Sequence, residues 1–319
     1  MPELPEVETI ARGLAKRVTG DVVESVWLGQ KKEPLKSPAA EIAVVLEHSR
    51  IASVRRMGKH IVFDLERTGA ASFPKNGTKP KRKGKRSSAA FDTPQAEADK
   101  SVRPTQTVGH TRGISTHVNA NAQWIVHLGM TGRLQVCEPR SDVAKHTHAI
   151  LKLASGRELR FVDPRRFGRL SVAAEADFDA TGFEPLEVDL ERFVPLFRGR
   201  KTPIKSALLN QKLLRGLGNI YADESLFRAG IRPRRRASSI RSEQLGKLFL
   251  AIQEVLKEAI ALGGSSVSDY VNADGEEGFF QLQHRVYGRE GEPCLVCKTP
   301  IKRVVIAGRS SHYCPKCQN

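Results

Sequence analysis

Four cysteines near the carboxyl end constrain the fold of this chain more than any other feature of its sequence. They form two Cys-x-x-Cys pairs separated by sixteen residues, namely Cys294, Cys297, Cys314 and Cys317. Two pairs at that spacing deliver four thiolates tetrahedrally to one Zn²⁺ ion, and no position then stays open for water or substrate. The pattern therefore predicts a small hairpin domain, residues 284–319, built around one structural zinc.

Two disulfide bonds are the alternative for the same four cysteines. The N-terminal sequence MPELPEVETI lacks a charged-then-apolar signal peptide, so we expect a reducing cytosol, where disulfides are rare. The fifth cysteine, Cys137, falls outside the pattern and is interpreted as an ordinary strand residue. The sequence thus favours metal over disulfides.

The charge of the chain indicates a polyanionic partner. Its 319 residues include 52 Lys and Arg against 35 Asp and Glu, a formal net charge of +17. Residues 69–122 hold ten basic and three acidic residues in a low-complexity stretch, which we predict to be a disordered insertion. Without its +7, the other 265 residues still carry +10, which suits a nucleic acid. No run approaches the roughly 20 apolar residues that a membrane span needs.

Hydrophobic periodicity divides the chain into two lobes. Residues 1–18 have helical spacing, and eight short alternating or β-branched runs follow between residues 22 and 172. This pattern predicts an N-terminal β-sandwich with a leading helix over residues 1–176. From residue 177 to 270 the spacing is helical, with predicted helices at 186–197, 204–212, 219–229 and 243–262. We therefore predict a multidomain α+β protein with a ligand cleft between the lobes.

The amino terminus carries the first candidate for chemistry. After removal of the initiator Met, Pro2 presents a secondary amine, and an α-amino pKa of about 8 leaves a useful unprotonated fraction at neutral pH. Attack of that amine on a sugar C1′ gives a cationic iminium, which makes elimination of the 3′ phosphate feasible, and Glu3 could handle the protons. Proline and glutamate are also ordinary in a first helical turn, so these positions alone do not decide between catalysis and structure.

Seven motifs span the chain apart from the insertion. In chain order they are MPELPEVET, MGKH, HLGMTGRL, DPRRFG, GLGNIYADESLFRAGI, VYGREGEPC and GRSSHYCPKCQ. These motifs, in this order, resemble the bacterial formamidopyrimidine-DNA glycosylase family. The resemblance implies a β-sandwich, a helix-two-turn-helix domain and a zinc finger. It also implies excision of oxidised purines, chiefly 8-oxoguanine and formamidopyrimidines, followed by β- and δ-elimination at the abasic site.

The resemblance assigns catalytic roles to individual residues. It implies that Pro2 forms the Schiff base and that Glu3 is the general acid and base, with Glu6 supporting the site. Lys59 matches the lysine that serves β-elimination. Arg309, in the finger hairpin, matches the arginine assigned to δ-elimination and a phosphate contact.

The implied DNA contacts lie in both lobes. They are His127, Met130, His146, Arg165, Phe167, Lys201 and Asn219. A glycosylase must extrude its target nucleotide and fill the space, and Met130, Arg165 and Phe167 resemble the residues that do so. Each contact has a plainer alternative: Met130 and Phe167 as core residues, His146 at a strand edge, and Lys201 as an exposed charge.

Two other functions stay open at the level of sequence. One is a zinc-finger DNA-binding protein that keeps the fold without catalysis, and the other is the related endonuclease VIII type, which prefers oxidised pyrimidines. The LPEVE start and the DPRRFG loop favour the purine enzyme, although base preference depends on residues 270–280. We expect a monomer that binds damaged double-stranded DNA in the bacterial cytoplasm, at the nucleoid.

Overall fold

The computed structural model describes residues 1–31, 33–67, 122–174, 182–266 and 278–319. The predicted disordered insertion, residues 69–122, lies outside the described residues except for Ala122. That residue begins a strand, so the predicted end of the insertion is wrong by one position. Most of the segment 270–280 also lies outside the described residues.

Two four-stranded antiparallel sheets pack face to face in the amino-terminal half. Their strands are β1 (Val23–Leu28), β2 (Ser49–Met57), β3 (His60–Arg67), β4 (Ala122–His127), β5 (Arg133–Cys137), β6 (Thr147–Leu153), β7 (Glu158–Val162) and β8 (Arg169–Ala173). One sheet has the order β1-β6-β7-β5 and the other β2-β3-β4-β8. Inward-facing side chains such as Phe63, Trp124 and Phe161 form one core between them. The predicted β-sandwich is confirmed.

The first helix, α1 (Leu4–Val18), contributes to two hydrophobic cores. It begins at Leu4 rather than at residue 1, because Glu3 is the N-cap residue and has extended backbone. Val7, Ile10 and Leu14 pack in the sandwich core. Leu4 instead belongs to the core of the helical lobe, and its N–H donates to the carbonyl of Gly216 at 3.0 Å. The start of the chain is therefore held at the boundary between the lobes.

A second helix in the amino-terminal half, α2 (Ala39–Leu46), was not predicted. Its sequence AAEIAVVL is eight residues long, and a short apolar run of that length does not separate helix from strand by periodicity. It buries Ile42, Val45 and Leu46 against the sandwich core.

The second lobe is helical, as predicted, with shorter elements than expected. Its helices are α3 (Leu190–Phe193), α4 (Ile204–Leu208), α5 (Asn219–Arg228) and α6 (Ser242–Ala261). The predicted helix 186–197 is wrong in extent: Asp189 caps α3 by accepting from the Arg192 N–H at 2.7 Å, and Val194–Phe197 is a 3₁₀ turn containing Pro195. The predicted helix 204–212 ends at Leu208, and turns closed by Asn210 follow. Within the described ranges, none of the helices is long and apolar enough to cross a bilayer.

Charged side chains join the two lobes beside α1. The Arg56 guanidinium, only 6% exposed, contacts Glu8 Oε2 at 2.7 Å and Glu184 Oε1 at 2.7 Å. Arg215 approaches the same Glu184 carboxylate at 3.4 Å. These contacts link α1 and β2 to the helical lobe.

The carboxyl end forms a two-stranded hairpin of β9 (Lys302–Ile306) and β10 (Arg309–Tyr313). A small core of its own contains Val286, Cys294, Ile301 and Cys314, with Phe227 contributed by α5. Glu224, also on α5, accepts the backbone N–H groups of Arg285, Val286 and Tyr287 at 2.8 to 3.0 Å. The hairpin domain is thus docked on the helical lobe.

Candidate active site

The carboxylate of Glu3 lies against the amino end of α5. Its Oε1 accepts from the Ile220 N–H at 3.4 Å, and the side chain is almost completely buried. Gly218, the N-cap residue of α5, makes this approach possible, because a Cβ there would lie 2.0 Å from Glu3 Cδ. The positive end of the α5 dipole therefore faces the carboxylate.

Glu6 supports Glu3 from the first turn of α1. Its Oε2 accepts from the Glu3 N–H at 2.7 Å, while its Oε1 accepts from the Tyr221 hydroxyl and from the Ser265 N–H at 2.8 Å. In contrast, Glu3 Oε2 is buried and has no hydrogen-bond partner within the described part of the chain. Glu6 is therefore a structural acceptor, whereas Glu3 keeps an oxygen free for a ligand.

Burial shifts the pKa values of two neighbouring groups at this site in opposite directions. It raises the pKa of Glu3, and the nearby charge of Lys59 opposes the shift. Burial lowers the pKa of Lys59, which occupies the turn between β2 and β3, and the charge of Glu3 opposes that shift. The site thus pairs a carboxyl group that keeps its proton more readily with an amine that loses its proton more readily, as acid–base chemistry requires.

Arg309 and Asn219 come together where the hairpin meets α5. Arg309 is exposed at the start of β10. The Asn219 side-chain amide donates to Ser310 Oγ at 3.4 Å, which places the first residue of α5 beside the residue that follows Arg309. The charges of both Glu3 and Arg309 act on Lys205, so these groups lie near one another.

Lys205 and Asp223 stabilise the contact between the hairpin and α5, and neither residue was predicted from the sequence. The Lys205 side chain is completely buried, and its Nζ lies 2.7 Å from Asp223 Oδ1 and donates to the Ser310 carbonyl at 2.6 Å. Asp223 Oδ2 in turn accepts from the His312 N–H at 2.9 Å. The only sequence signal was a lysine inside the apolar run that forms α4. The predicted contact Lys201, four residues earlier, is exposed in the loop before α4.

Met130 and Phe167 are exposed, at 42% and 52%, rather than part of a core. They lie on adjacent loops, because Gly129, at φ 69°, packs so tightly that a Cβ would lie 2.5 Å from the backbone of Phe167. The Arg165 guanidinium stacks 4.8 Å from the centroid of the Phe167 ring. The structure therefore brings together the three residues that are predicted to fill the space left by the extruded nucleotide.

The two predicted histidine contacts have different environments. His127 ends β4, where its Nδ1 accepts from the Gly129 N–H at 3.1 Å, and burial lowers its pKa to about 4, helped by the charge of neighbouring His60. It is therefore neutral at pH 7. His146 is exposed, with φ 71°, and its carbonyl accepts from the Asp163 N–H at 3.0 Å.

The four cysteine sulfurs fit one tetrahedral metal ion. All of them lie within 4.8 Å of one another, with Cys294 and Cys317 Sγ 3.9 Å apart and Cys297 and Cys314 Sγ 3.4 Å apart. Tetrahedral Zn²⁺ with Zn–S bonds of about 2.3 Å separates its sulfurs by roughly 3.8 Å. The donor set and its spacing therefore match a structural zinc.

Comparison with known proteins places the chain in a single family. The model of the formamidopyrimidine-DNA glycosylase N-terminal domain matches residues 1–170, that of the H2TH domain of the same enzyme matches residues 181–271, and that of the zinc finger found in FPG and IleRS matches residues 291–319. The chain belongs to the formamidopyrimidine-DNA glycosylase family. Because the finger model covers the cysteine cluster, one structural zinc follows.

Relatives match the chain over its whole length. The formamidopyrimidine-DNA glycosylase of Solibacter usitatus is 41% identical, covering 100% of this chain and 99% of the relative. The crystal structure of the MutM (FPG) protein from Thermus thermophilus is 35% identical, with a TM-score of 0.75 and coverage of 99% and 98%. A complex of a Lactococcus lactis FPG mutant with Fapy-dG-containing DNA is 28% identical, with a TM-score of 0.78 and full coverage of both chains. The fold expected for a formamidopyrimidine-DNA glycosylase is thereby confirmed.

Removal of zinc from this glycosylase-family chain is expected to weaken DNA binding. The metal ties together the hairpin that carries Arg309, so chelation should release the hairpin and lower affinity for duplex DNA about tenfold or more. Zinc release and DNA binding, followed together during chelation, test this expectation. Cys137→Ser is the matched control, since Cys137 lies on β5, and that variant should retain its zinc. Binding that survives complete zinc loss would contradict the prediction.

His284 is expected to make the protein acid-sensitive. Its ring lies between those of Phe280 and Tyr287, its Nε2 is 3.2 Å from Ser265 Oγ, and burial lowers its pKa to about 4. An unfolded histidine titrates near pH 6.5, so the unfolded chain binds more protons between about pH 6.5 and 4, and stability falls as pH falls through that window.

Replacing His284 with glutamine should flatten this dependence. The free energy of unfolding falls between pH 7 and pH 4.5, and this fall is expected to be about 2 to 3 kcal/mol smaller in the variant than in the unaltered protein. Urea unfolding at the two pH values measures the difference. The exposed His146→Gln variant serves as the control and should behave like the unaltered protein. An unchanged dependence in His284→Gln would show that other groups cause the acid sensitivity.

Proposed function

We propose that this protein removes oxidised purines from duplex DNA and then cleaves the strand at the abasic site. The observation that carries the proposal is the buried, unpartnered Oε2 of Glu3, which sits beside Pro2 and within the electrostatic reach of Lys59, in the part of the chain that the structure describes. Family relatives support the substrate class: solved complexes include Lactococcus lactis Fpg with abasic-site DNA and MutM with DNA containing carbocyclic 8-oxoguanine.

The first step joins the protein to the sugar. Once Met1 is removed, the lone pair of the Pro2 nitrogen attacks C1′, the C1′–N9 bond breaks, and the base leaves with the electron pair and takes up a proton. Loss of the proton from the proline nitrogen gives an aminal. The nitrogen lone pair then expels O4′ from C1′, O4′ takes up a proton, and the opened sugar is held as the iminium. Glu3, whose pKa is raised by burial, holds a proton at this place and supplies it.

The following steps cut the backbone. The iminium draws electrons from C2′, so a base removes a C2′ proton and the 3′ C–O bond breaks, which releases phosphate. Lys59, whose pKa burial lowers, is the amine suited to this transfer. Arg309 beside Asn219 is suited to hold the phosphate that leaves in the second, δ-elimination at C5′. Water finally hydrolyses the Schiff base and frees Pro2.

The remaining predicted residues are proposed to hold and open the duplex. Met130 and Phe167 are the exposed apolar tips that would enter the stack, and Arg165 beside them offers forked donors to the base opposite the lesion. We assign phosphate contacts to His127, His146, Lys201 and Asn219. The three functional units are proposed to span residues 1–176, 177–270 and 284–319.

We also infer that one chain is sufficient and that it acts in the bacterial cytoplasm, at the nucleoid. Glu3 and Arg309 of the same chain both act electrostatically on Lys205, which supports a catalytic site that needs no second subunit. The relatives that it matches are bacterial, which supports this location.

Borohydride trapping on duplexes that contain 8-oxoguanine opposite cytosine tests the proposed function. The unaltered protein should give a covalent adduct, Pro2→Gly should lose most of it, and Glu3→Gln should fail on 8-oxoguanine yet trap a preformed abasic site. This difference separates the nucleophile from the proton donor. A protein that only binds DNA gives no adduct, and an oxidised-pyrimidine enzyme traps better on thymine glycol; either outcome would reject the proposal.

A further inference from the structure

A cationic cleft opens beside the exposed Phe167 tip. It has a volume of about 520 Å³ and is lined by Glu33, Lys36, Arg165, Arg166, Phe167 and Arg169, with Gly168 at its base. None of the four cations forms an ion pair with a carboxylate in the ranges that the structure describes, and the three arginines are exposed. Four cations against the single carboxylate of Glu33 leave the cleft positively charged, which raises the local concentration of anions.

Arg165 differs from the other three cations. Its guanidinium stacks on the Phe167 ring, as suits a residue that accompanies the tip into the base stack. Lys36, Arg166 and Arg169 have no such aromatic contact among the described residues. Arg166 has φ 56°, a left-handed backbone conformation that is unfavourable for a non-glycine residue. Strained backbone of this kind clusters at binding sites.

The sheet places Lys36 on the opposite side of the Met130 and Phe167 tips from Lys59. Lys59 precedes β3, His60 pairs with His127 at the end of β4, and His127 pairs with Arg169 at the start of β8. Residues 34–36 extend the sheet beyond β8, because the Leu170 N–H donates to the Pro34 carbonyl at 3.0 Å and the Lys36 N–H donates to the Leu170 carbonyl at 2.8 Å.

Lys59 and Lys36 are therefore about three strand spacings apart, roughly 14 Å. The Met130 and Phe167 tips follow β4 and precede β8, so they fall between the two cations. Apolar tips that insert between base steps enter from the groove between the two strands, so cations on opposite sides of the tips face phosphates of opposite strands.

We propose that Lys36, Arg166 and Arg169 bind phosphodiesters of the undamaged strand, opposite the strand that enters the Glu3 site. This inference rests on the proposed function, because it requires duplex DNA as the substrate. Held on both sides of the Met130 and Phe167 tips, the two strands cannot slide away as the tips separate the bases. The cleft therefore holds the undamaged strand in place while the damaged nucleotide is extruded.

Salt dependence of binding tests the proposal on the full-length chain. The probe is a duplex with a tetrahydrofuran abasic analogue, which is not cleaved, and the same damaged strand alone is the second probe. Each of Lys36→Gln, Arg166→Gln and Arg169→Gln should reduce the slope of log affinity against log salt by about 0.9 on the duplex. On the single strand the variants should bind like the unaltered protein. Lys152→Gln, an exposed cation on the other sheet, is the matched control and should change neither slope.

Neutral methylphosphonates in the DNA identify the strand. Substitution in the undamaged strand opposite the lesion should weaken DNA binding by the unaltered protein. It should leave binding unchanged in a variant that carries Lys36→Gln, Arg166→Gln and Arg169→Gln together. An equal effect in both proteins, or a coupling found only with the damaged strand, would overturn the proposal. Borohydride trapping on a single strand that contains a natural abasic site in place of tetrahydrofuran reports the Pro2 chemistry independently, so failure of the cleft proposal is distinguishable from failure of the proposed function.

Discussion

Replacing Gly218 with alanine is expected to abolish most base excision while the protein stays folded. The added Cβ would lie 2.0 Å from Glu3 Cδ and 2.3 Å from both carboxylate oxygens. Gly218 has φ −131° and ψ −164°, which alanine adopts without strain, so the clash with Glu3 is the whole effect. A misplacement of about 1 Å can cost about 100-fold in rate, and the same loss or more is expected in single-turnover excision.

The matched control is Gly246→Ala on α6. A Cβ there meets nothing within 4 Å, so this variant should excise normally and gain about 0.5 to 1 kcal/mol of helix stability. Excision of 8-oxoguanine under single-turnover conditions and thermal unfolding are measured for both variants. If Gly218→Ala excises within a few-fold of the unaltered rate, Glu3 is not held in its reactive place by α5.

Replacing Lys205 with methionine is expected to be the most destabilising single change. The ammonium group is fully buried 2.7 Å from Asp223, and its removal leaves a buried carboxylate without its cation. Breaking a buried ion pair from one side costs about 3 to 5 kcal/mol. The Ser310 carbonyl also loses its donor, so Arg309 loses its support, and δ-elimination should fall more than β-elimination.

A double variant separates charge from packing at this position. Asp223→Asn keeps an oxygen for the His312 N–H but removes the negative charge, so Lys205→Met with Asp223→Asn should recover much of the lost stability. Urea unfolding and the ratio of δ- to β-elimination products on a preformed abasic site give the two readouts. The exposed Lys201→Met should leave stability and that product ratio unchanged. Equal stability of the single and double Lys205 variants would contradict the ion-pair account.

The sandwich was predictable because its strands alternate between apolar and polar residues, and all eight predicted runs correspond to strands. The short α2 was not, since eight mostly apolar residues fit a strand or a helix equally well. In the helical lobe the apolar spacing of residues 186–197 and 204–212 extends past the points where Asp189, Pro195 and Asn210 interrupt the helices. Local turn chemistry overrides periodicity at those places.

The sequence motifs identified the residues of the candidate site but not the contacts that position them. The cysteine spacing led directly to a cluster of four sulfurs, because all the ligands lie within one short hairpin domain. The surroundings of Glu3 and Arg309 depend on contacts between residues far apart in sequence. Gly218 shapes the position of Glu3, and Lys205 ties α4 to the hairpin through Ser310. Single-sequence patterns carry no record of such partners.

The position of helix α1 determines how relative motion of the two lobes affects the active site. Because Leu4 packs in the core of the helical lobe while the rest of α1 packs in the sandwich, the residues that carry the chemistry are attached to a seam. Glu3 comes from one side of that seam and the amino end of α5 from the other. A hinge motion that carried α1 with the sandwich would withdraw Glu3 from the amino end of α5. The reactive placement of Glu3 thus depends on contact between the lobes.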